Sequence, residues 1–444
     1  MTERRPEIIC GVAMRTFVWR VGVGWLFMIG LSQQVLAQTP LTWAEVRARF
    51  ETANPTLQAD QLAVEESKAV EITAFLRPNP GCGLTLDQIG HTISTDDNPT
   101  NPFSASTLIG NCSYLHERQH KRELRRDTAR AATTVATSMH TNLDRTLIFT
   151  LRSAFVQVLA AKAALALARD NLRFYDQVLT ISQQRFQAGD IAQIDLNRLQ
   201  LQRVQFESAI ETADVNVRTA KIQLLALLND RSPVDQFDVT GPFDFGEAVP
   251  ALDDVQQEAL DTRPDLRAVL QGVDQATVAH RLAVANGSTD PTFIVDAGFP
   301  TISQAWNSYA PPLREYVGVS VAIPVRIFDR NQGEKLRTQL DITRNERLVD
   351  GTRAQVFSDV DTAYATLVSA INLLRPYRDR YLAQSTQVRD IVTLSYQRGG
   401  AALLDFLQAE QDYRAVQLNY IALVASYLTA AAQLNEAVGQ EVIP

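Results

Sequence analysis

From Leu147 onward, apolar residues recur in alternating steps of four and three: Leu147, Leu151, Ala154, Val158, Ala161, Leu165, Ala168, Leu172, Tyr175 and Leu179. This is the heptad rhythm of a helix laid against another helix. Residues 111–188 contain neither glycine nor proline, and 190–232 contain neither again. Two long helices are therefore expected, reversing at Gly189, where a glycine lets the chain turn back. A single helix over most of the first run would extend about 100 Å, at about 1.5 Å per residue. Tyr413, Val416, Tyr420, Leu423, Tyr427, Ala430 and Leu434 keep the same rhythm after a second break at Gly399-Gly400.

Elsewhere the period falls to two. Val317, Val319, Val321, Ile323 and Val325 alternate with Gly318, Ser320 and Ala322. One bulky apolar face and one small or polar face over about 10 residues is the pattern of a membrane-spanning strand. "PTFIVDAGF" (291–299) precedes it, and "PGCGLTLDQIG" (80–90) and "ASTLIGNCSYL" (105–115) form an earlier pair with weaker alternation. Polar, proline-bearing loops, "HTISTDDNPTNPFS" and "PTISQAWNSYAPPLR", join the pairs. Two hairpins cannot close a barrel, and open strand edges are excluded from lipid. Either the hairpins lie on a soluble core or several chains pool them.

The two halves repeat. "RFQAGDIAQIDLNRLQLQ" (185–202) aligns with "SYQRGGAALLDFLQAEQD" (395–412) at an offset of 210, bringing Phe186 onto Tyr396, Gly189 onto Gly399 and Asp195 onto Asp405. "ETANPTLQA" (51–59) resembles "LDTRPDLRA" (260–268). Internal repetition takes precedence in assigning domains. The expected division is a leader over 1–37, a first repeat over 38–240 with its hairpin at 80–115, and a second repeat over 241–444 with its hairpin at 291–325. Each repeat opens on one helix, roughly 41–75 and 251–285, and continues through a long helix, a tip turn and a return helix.

A net charge of −8 argues against nucleic acid as the main partner. Aromatics make up 7% of the chain, and Ala, Leu, Gln and Arg are plentiful, as suits long helices. Arg15 and Arg20 precede the apolar run Val21–Leu31, and Val35-Leu36-Ala37 supplies the small residues of a signal-peptidase site, with cleavage expected after Ala37. Either Met1 or Met14 serves as the start. No run of about 20 apolar residues follows, so no transmembrane helix is expected. Cys10 leaves with the leader. Cys82 and Cys112 are then either a disulfide formed in an oxidising compartment or two small buried thiols.

His116-Glu117-x-x-His120 has the spacing of a zinc peptidase helix. It falls at a strand-to-helix junction and lacks a third ligand. His140, on one continuous helix, would lie about 30 Å from His120. No catalytic residue, metal site or cofactor is expected. Lys121, Arg122, Arg125, Arg126 and Arg130 follow directly, either as a basic collar for phospholipid phosphates or as a solvated helix face.

Taken together, the leader, the duplicated helix–hairpin–long helix–turn–helix unit and the tip motif Tyr/Phe-x-x-Gly-x(5)-Asp resemble the TolC-like outer-membrane efflux proteins. "RPDL" (263–266), "LLALLN" and "LNEAVG" add to the likeness. "IPVRIFDRNQGE" (323–334) and the stretch 395–420 look most like the branch serving heavy-metal pumps. The resemblance implies a mainly α chain whose homotrimer closes a 12-stranded outer-membrane barrel, four strands per chain, on a periplasmic coiled-coil tunnel. It implies a passive exit duct, not an enzyme, working with a periplasmic adaptor and an inner-membrane pump, most simply of the resistance-nodulation-division type, with heavy-metal cations as candidate cargo. The tip turns Gly189, Gly399 and Gly400 would meet the adaptor.

The same resemblance points to a gate. This chain keeps Tyr396, Asp405 and Asp195, but has Ala401 where the family's best-studied members carry arginine and Gln408 where they carry a second aspartate. A Tyr396–Asp195 hydrogen bond and a ring of three Asp405 carboxylates are one reading. Helix caps formed by Asp195 and Asp405 are the other. The rival to a duct is a secreted or periplasmic coiled-coil structural protein without a pore.

Overall fold

The computed structural model describes residues 39–87, 107–300 and 315–443. The leader with its cleavage site, Met14, Cys10 and both hairpin loops lie outside the described residues.

Helices α1 (Trp43–Ala53) and α2 (Pro55–Ala74) open the first repeat, and α5 (Leu252–Thr262) and α6 (Pro264–Asn286) the second. Each was expected as one helix. Pro55 and Pro264 instead begin a new helix at N1, with Asn54 and Arg263 extended before them. The residue before a proline avoids the helical region, and a proline lacking N–H fits a first turn, so the break is local chemistry. Asn54 caps the second helix through Oδ1, which accepts from the Leu57 N–H at 3.0 Å, while its Nδ2 donates to the Leu227 carbonyl at 2.9 Å. In the second repeat the Arg263 guanidinium donates to the Ala437 carbonyl at 3.2 Å and to Asp265 and Asp359 at 2.6 and 2.9 Å.

The long helix α3 (Lys121–Ala188) runs unbroken for 68 residues and returns as α4 (Gln193–Leu227). Its counterpart is interrupted. Helix α7 (Gln332–Pro376) passes through a π turn, Tyr377–Tyr381, into α8 (Leu382–Gln397), and α9 (Leu403–Val438) returns. Pro376 explains the interruption: it offers no N–H to the helix ladder and its ring crowds the preceding turn.

The seam residues lie where the heptads require. Leu151, Ala154, Val158, Leu165, Tyr175 and Leu179 are buried, against Leu224, Leu228, Val217, Leu199 and Phe206 among others. In the second repeat Tyr427, Ala430 and Leu434 pack with Val360, Leu367 and Leu374. Against expectation, α3 and α9 each hold a stretch apolar enough by length and composition to cross a membrane. Both helices supply the helix–helix cores, which accounts for that apolarity.

Strands β1 (Gly81–Asp87), β2 (Thr107–Leu115), β3 (Thr292–Pro300) and β4 (Tyr316–Ala322) form one antiparallel sheet in that order. The central β2–β3 pair joins the two repeats, with Cys112 opposite Val295 and Tyr114 opposite Phe293. Opposed residues share a face, so the register sorts the side chains. Leu84, Leu86, Leu108, Phe293, Val295, Phe299, Val317, Val319 and Val321 fall on one face, and Thr85, Asn111, Ser113, Asp296, Gly318 and Ser320 on the other. The apolar face is open: Val317 is 76% and Val319 75% exposed. The alternation at Ile323 and Val325 overshoots the strand, which ends at Ala322 before Pro324, a residue that cannot donate to a ladder. Cys82 faces Cys112 across β1–β2, and the two form a disulfide.

Candidate functional site

Both tips are built alike. At the end of α3, Gly189 sits at φ 84°, its N–H donating to the Phe186 carbonyl at 3.0 Å, while the Asp190 N–H donates to Arg185 at 2.9 Å. At the end of α8, Gly399 sits at φ 78°, with N–H bonds from Gly399 to Tyr396 at 3.0 Å and from Gly400 to Ser395 at 2.8 Å. These paired bonds form a Schellman turn, whose left-handed residue favours glycine. The offset of 210 therefore reproduces the turn bond for bond.

The aspartates then begin the return helices. Asp195 and Asp405 each occupy the third position, where a carboxylate suits the positive end of the helix dipole. Asp405 Oδ2 accepts from the Ala402 N–H at 3.2 Å, a cap on its own helix. Asp195 stands 3.9 Å from Arg198.

Tyr396 points elsewhere than expected. It is 4% exposed, and its hydroxyl has no hydrogen-bond partner among the described residues, so the Tyr396–Asp195 bond is not made within the chain. The ring stacks on Phe406 at 5.3 Å between centroids, within a core that includes Tyr175 and Phe206. Its backbone carbonyl accepts from Arg185 at 2.6 Å, and the same guanidinium lies 5.5 Å from its ring. Arg185 thus clamps the first hairpin to the second. Sequence reading passed over it, although its place one turn before Gly189 was the available signal.

His116 and His120 are not set as a helical metal site. His116 follows β2 and precedes the helix, so the i, i+4 geometry of a helical zinc site is absent. Glu117 is taken by Arg125, and His140 pairs with Asp60 at 2.8 Å. Among the described residues no group of three or more His, Cys, Asp or Glu side chains could hold a metal. The basic run is largely engaged internally. Lys121 is buried on Asp290 at 2.6 Å, and Arg122 and Arg126 lie 4.4 and 5.0 Å from the Phe75 ring.

Long antiparallel helical hairpins capped by matched glycine turns are thus carried on a sheet with one apolar face. Residues 255–440 match the outer membrane efflux protein family. It is 23% identical over 290 residues to the cobalt-zinc-cadmium resistance protein CzcC of Cupriavidus metallidurans, covering 65% of this chain and 66% of that protein. It is 24% identical over 300 residues to the pyoverdine export outer membrane protein OpmQ of Pseudomonas putida, covering 66% and 62%. The matches thus span just under two thirds of the length of these relatives. In fold it is similar to CusC, described for transmembrane channel formation, with a TM-score of 0.73 at 16% identity over 90% of this chain and 92% of that one.

Proposed function

We propose that the chain is the outer-membrane duct of a tripartite efflux system. One observation carries this reading: a four-stranded sheet with an open apolar face and two outer strands, β1 and β4, each paired on one side only among the described residues. In lipid those edges must be satisfied. Three copies joined β4 to β1 would supply twelve strands, three times four, with the apolar face toward acyl chains and Thr85, Asn111, Asp296 and Ser320 toward the lumen. The repeats 38–240 and 241–444 would then each contribute one hairpin and one helix pair. The leader over 1–37 would direct export and be removed after Ala37. A poreless coiled-coil protein would have no use for such a face.

The helices would form a periplasmic tunnel whose tips, at Gly189, Gly399 and Gly400, meet the adaptor, with a resistance-nodulation-division pump beyond it. Outer-membrane lipid is the remaining partner. No catalytic step is assigned, since transport energy enters at the pump. Heavy-metal cations are a candidate cargo, supported by the likeness to CzcC; the comparable likeness to OpmQ leaves the pump to select the substrate. At the tip, three Asp405 side chains around the axis would form an acidic ring that Ala401 cannot neutralise, with Asp195 near it and Tyr396 packed in the core behind it. In planar bilayers the protein is expected to conduct with cation preference, and Asp405→Ala to reduce that preference and divalent-ion block. Absence of conductance would overturn the duct, and unchanged selectivity in Asp405→Ala would move the gate elsewhere.

A further inference from the structure

Above the tip, α8 and α9 pack on α3 and α4 around an unsatisfied carboxyl group. Glu410 of α9 is 1% exposed, and neither of its oxygens has a hydrogen-bond partner among the described residues. An ionised carboxylate is strongly disfavoured in such a place. One turn later on the same helix, Arg414 has a buried, unpartnered Nε, and its guanidinium lies 4.5 Å from the ring of Phe206 on α4. Glutamate followed by arginine at i, i+4 is the favourable order for an ion pair. Here that pair is available and not made.

The surrounding groups are otherwise occupied. From α8, Arg389 lies 3.9 Å from the Tyr413 ring and 4.3 Å from the Phe174 ring, and donates to Asp390 at 2.9 Å. Tyr396, also on α8, has a free hydroxyl. From α3, Tyr175 donates its hydroxyl to the Leu199 carbonyl at 3.0 Å. From α4, Arg203 is held by Asp176 at 2.6 Å and by Glu207.

We propose that Glu410 is a proton-operated latch between the two helical hairpins. With its proton, Glu410 fits the packed core while Arg414 stays on Phe206. Without it, the carboxylate draws Arg414 into the i, i+4 pair, and the guanidinium leaves Phe206. The α4–α9 contact loosens, and the hairpins part more readily. The two arrangements use the same residues and differ by one proton, which makes the element bistable.

Burial pushes the Glu410 carboxyl up to about 7, against the opposing pull of Arg389 and Arg414. The packed state therefore holds a proton that a hydrated glutamate would release near 4.5. Acid favours packing, and rising pH favours the loosened form. With those two values the loosened-to-packed ratio rises about tenfold between about pH 6 and 8 and then levels off.

Infrared spectroscopy of the purified full chain in detergent tests the latch without reference to transport. The expected result is a protonated-carboxyl band that vanishes over roughly pH 6–8 and is missing from Glu410→Gln. Absence of that band in the parent, or its persistence in Glu410→Gln, overturns the proposal. Hydrogen exchange across α9, corrected for intrinsic rates, should show about tenfold more frequent opening at the higher pH in the parent and no pH effect in Glu410→Gln. Equal pH dependence in both would also overturn it. The consequence for gating rests on the duct reading. Resting conductance should rise with pH in the parent and stay flat in Glu410→Gln. A titrating band in a protein that never conducts would support the latch and count against the duct alone.

Discussion

The two repeats carry the same plan and solve its weak points differently. In the first, α3 crosses the molecule without a break, and the helix joint at Asn54 is closed by a neutral amide bonded to the Leu227 carbonyl. In the second, the corresponding helix is broken by a π turn after Pro376, and the joint is closed by Arg263, itself buried, paired with the part-buried Asp265 and Asp359 and bonded to the Ala437 carbonyl. Residues 227 and 437 are equivalent by the offset of 210. The same carbonyl is thus capped by an amide once and by a guanidinium once. The duplication preserves the architecture but not its local detail: the second repeat combines a charge-dependent joint with a helix interrupted by a π turn.

The largest effect should come from that charge. Arg263→Ala would leave two part-buried carboxylates without their cation and is expected to cost about 3 kcal/mol or more. Burial alone would raise the Asp265 carboxyl, but Arg263, with help from Arg145, holds it below its usual 3.8. A depressed value stabilises the fold above the usual pKa, and that stability is lost as pH falls through the lower, folded value. The parent should therefore lose melting temperature steeply below about pH 4, and Arg263→Ala should lose less over the same range. A pH series of thermal melts checks both slopes.

Next in size is the helix itself. Ala166 is the exposed position in α3 that matches Pro376 by the offset. Ala166→Pro should cost about 3 kcal/mol, since no π turn is prepared there. The reverse change, Pro376→Ala, should slow hydrogen exchange across residues 377–381. Equal exchange before and after would mean that something other than the proline holds the π turn. Asn54→Ala is expected to cost less, about 1–2 kcal/mol, for a lost cap and one lost hydrogen bond. If denaturation midpoints place it level with Arg263→Ala, the contrast between the joints fails.

The smallest effects belong to the tip turns. Gly189→Ala and Gly399→Ala each force a side chain into a left-handed backbone, at about 1 kcal/mol. A methyl group at Gly189 meets open space, whereas at Gly399 it would touch Arg185 Nη2 at 3.5 Å. That distance is ordinary contact, so both changes should act through the backbone alone and lower denaturation midpoints by similar amounts.

Which of these features the sequence discloses follows from physical range. Heptad steps, strand alternation and glycine turns are local signals, and they located α3, α4, the four strands and both tips. Pro376 was visible but gave no sign that a five-residue π turn would absorb it and let the helix continue. Tyr396 and Glu410 depend on how two hairpins pack. Glu410 flanks the seam position Ala409 and would be solvated on an isolated coiled coil; it is buried because α3 and α4 close over it. The same distant packing turns Tyr396 into the core, where the tip motif alone suggested a partner in Asp195.

Three chains sharing one barrel is the central proposal, and the mass of the protein extracted from outer membranes in mild detergent tests it most directly. A particle containing three processed chains, stable without any partner protein, is expected. A single processed chain, recovered as a water-soluble species from the periplasm, would contradict it.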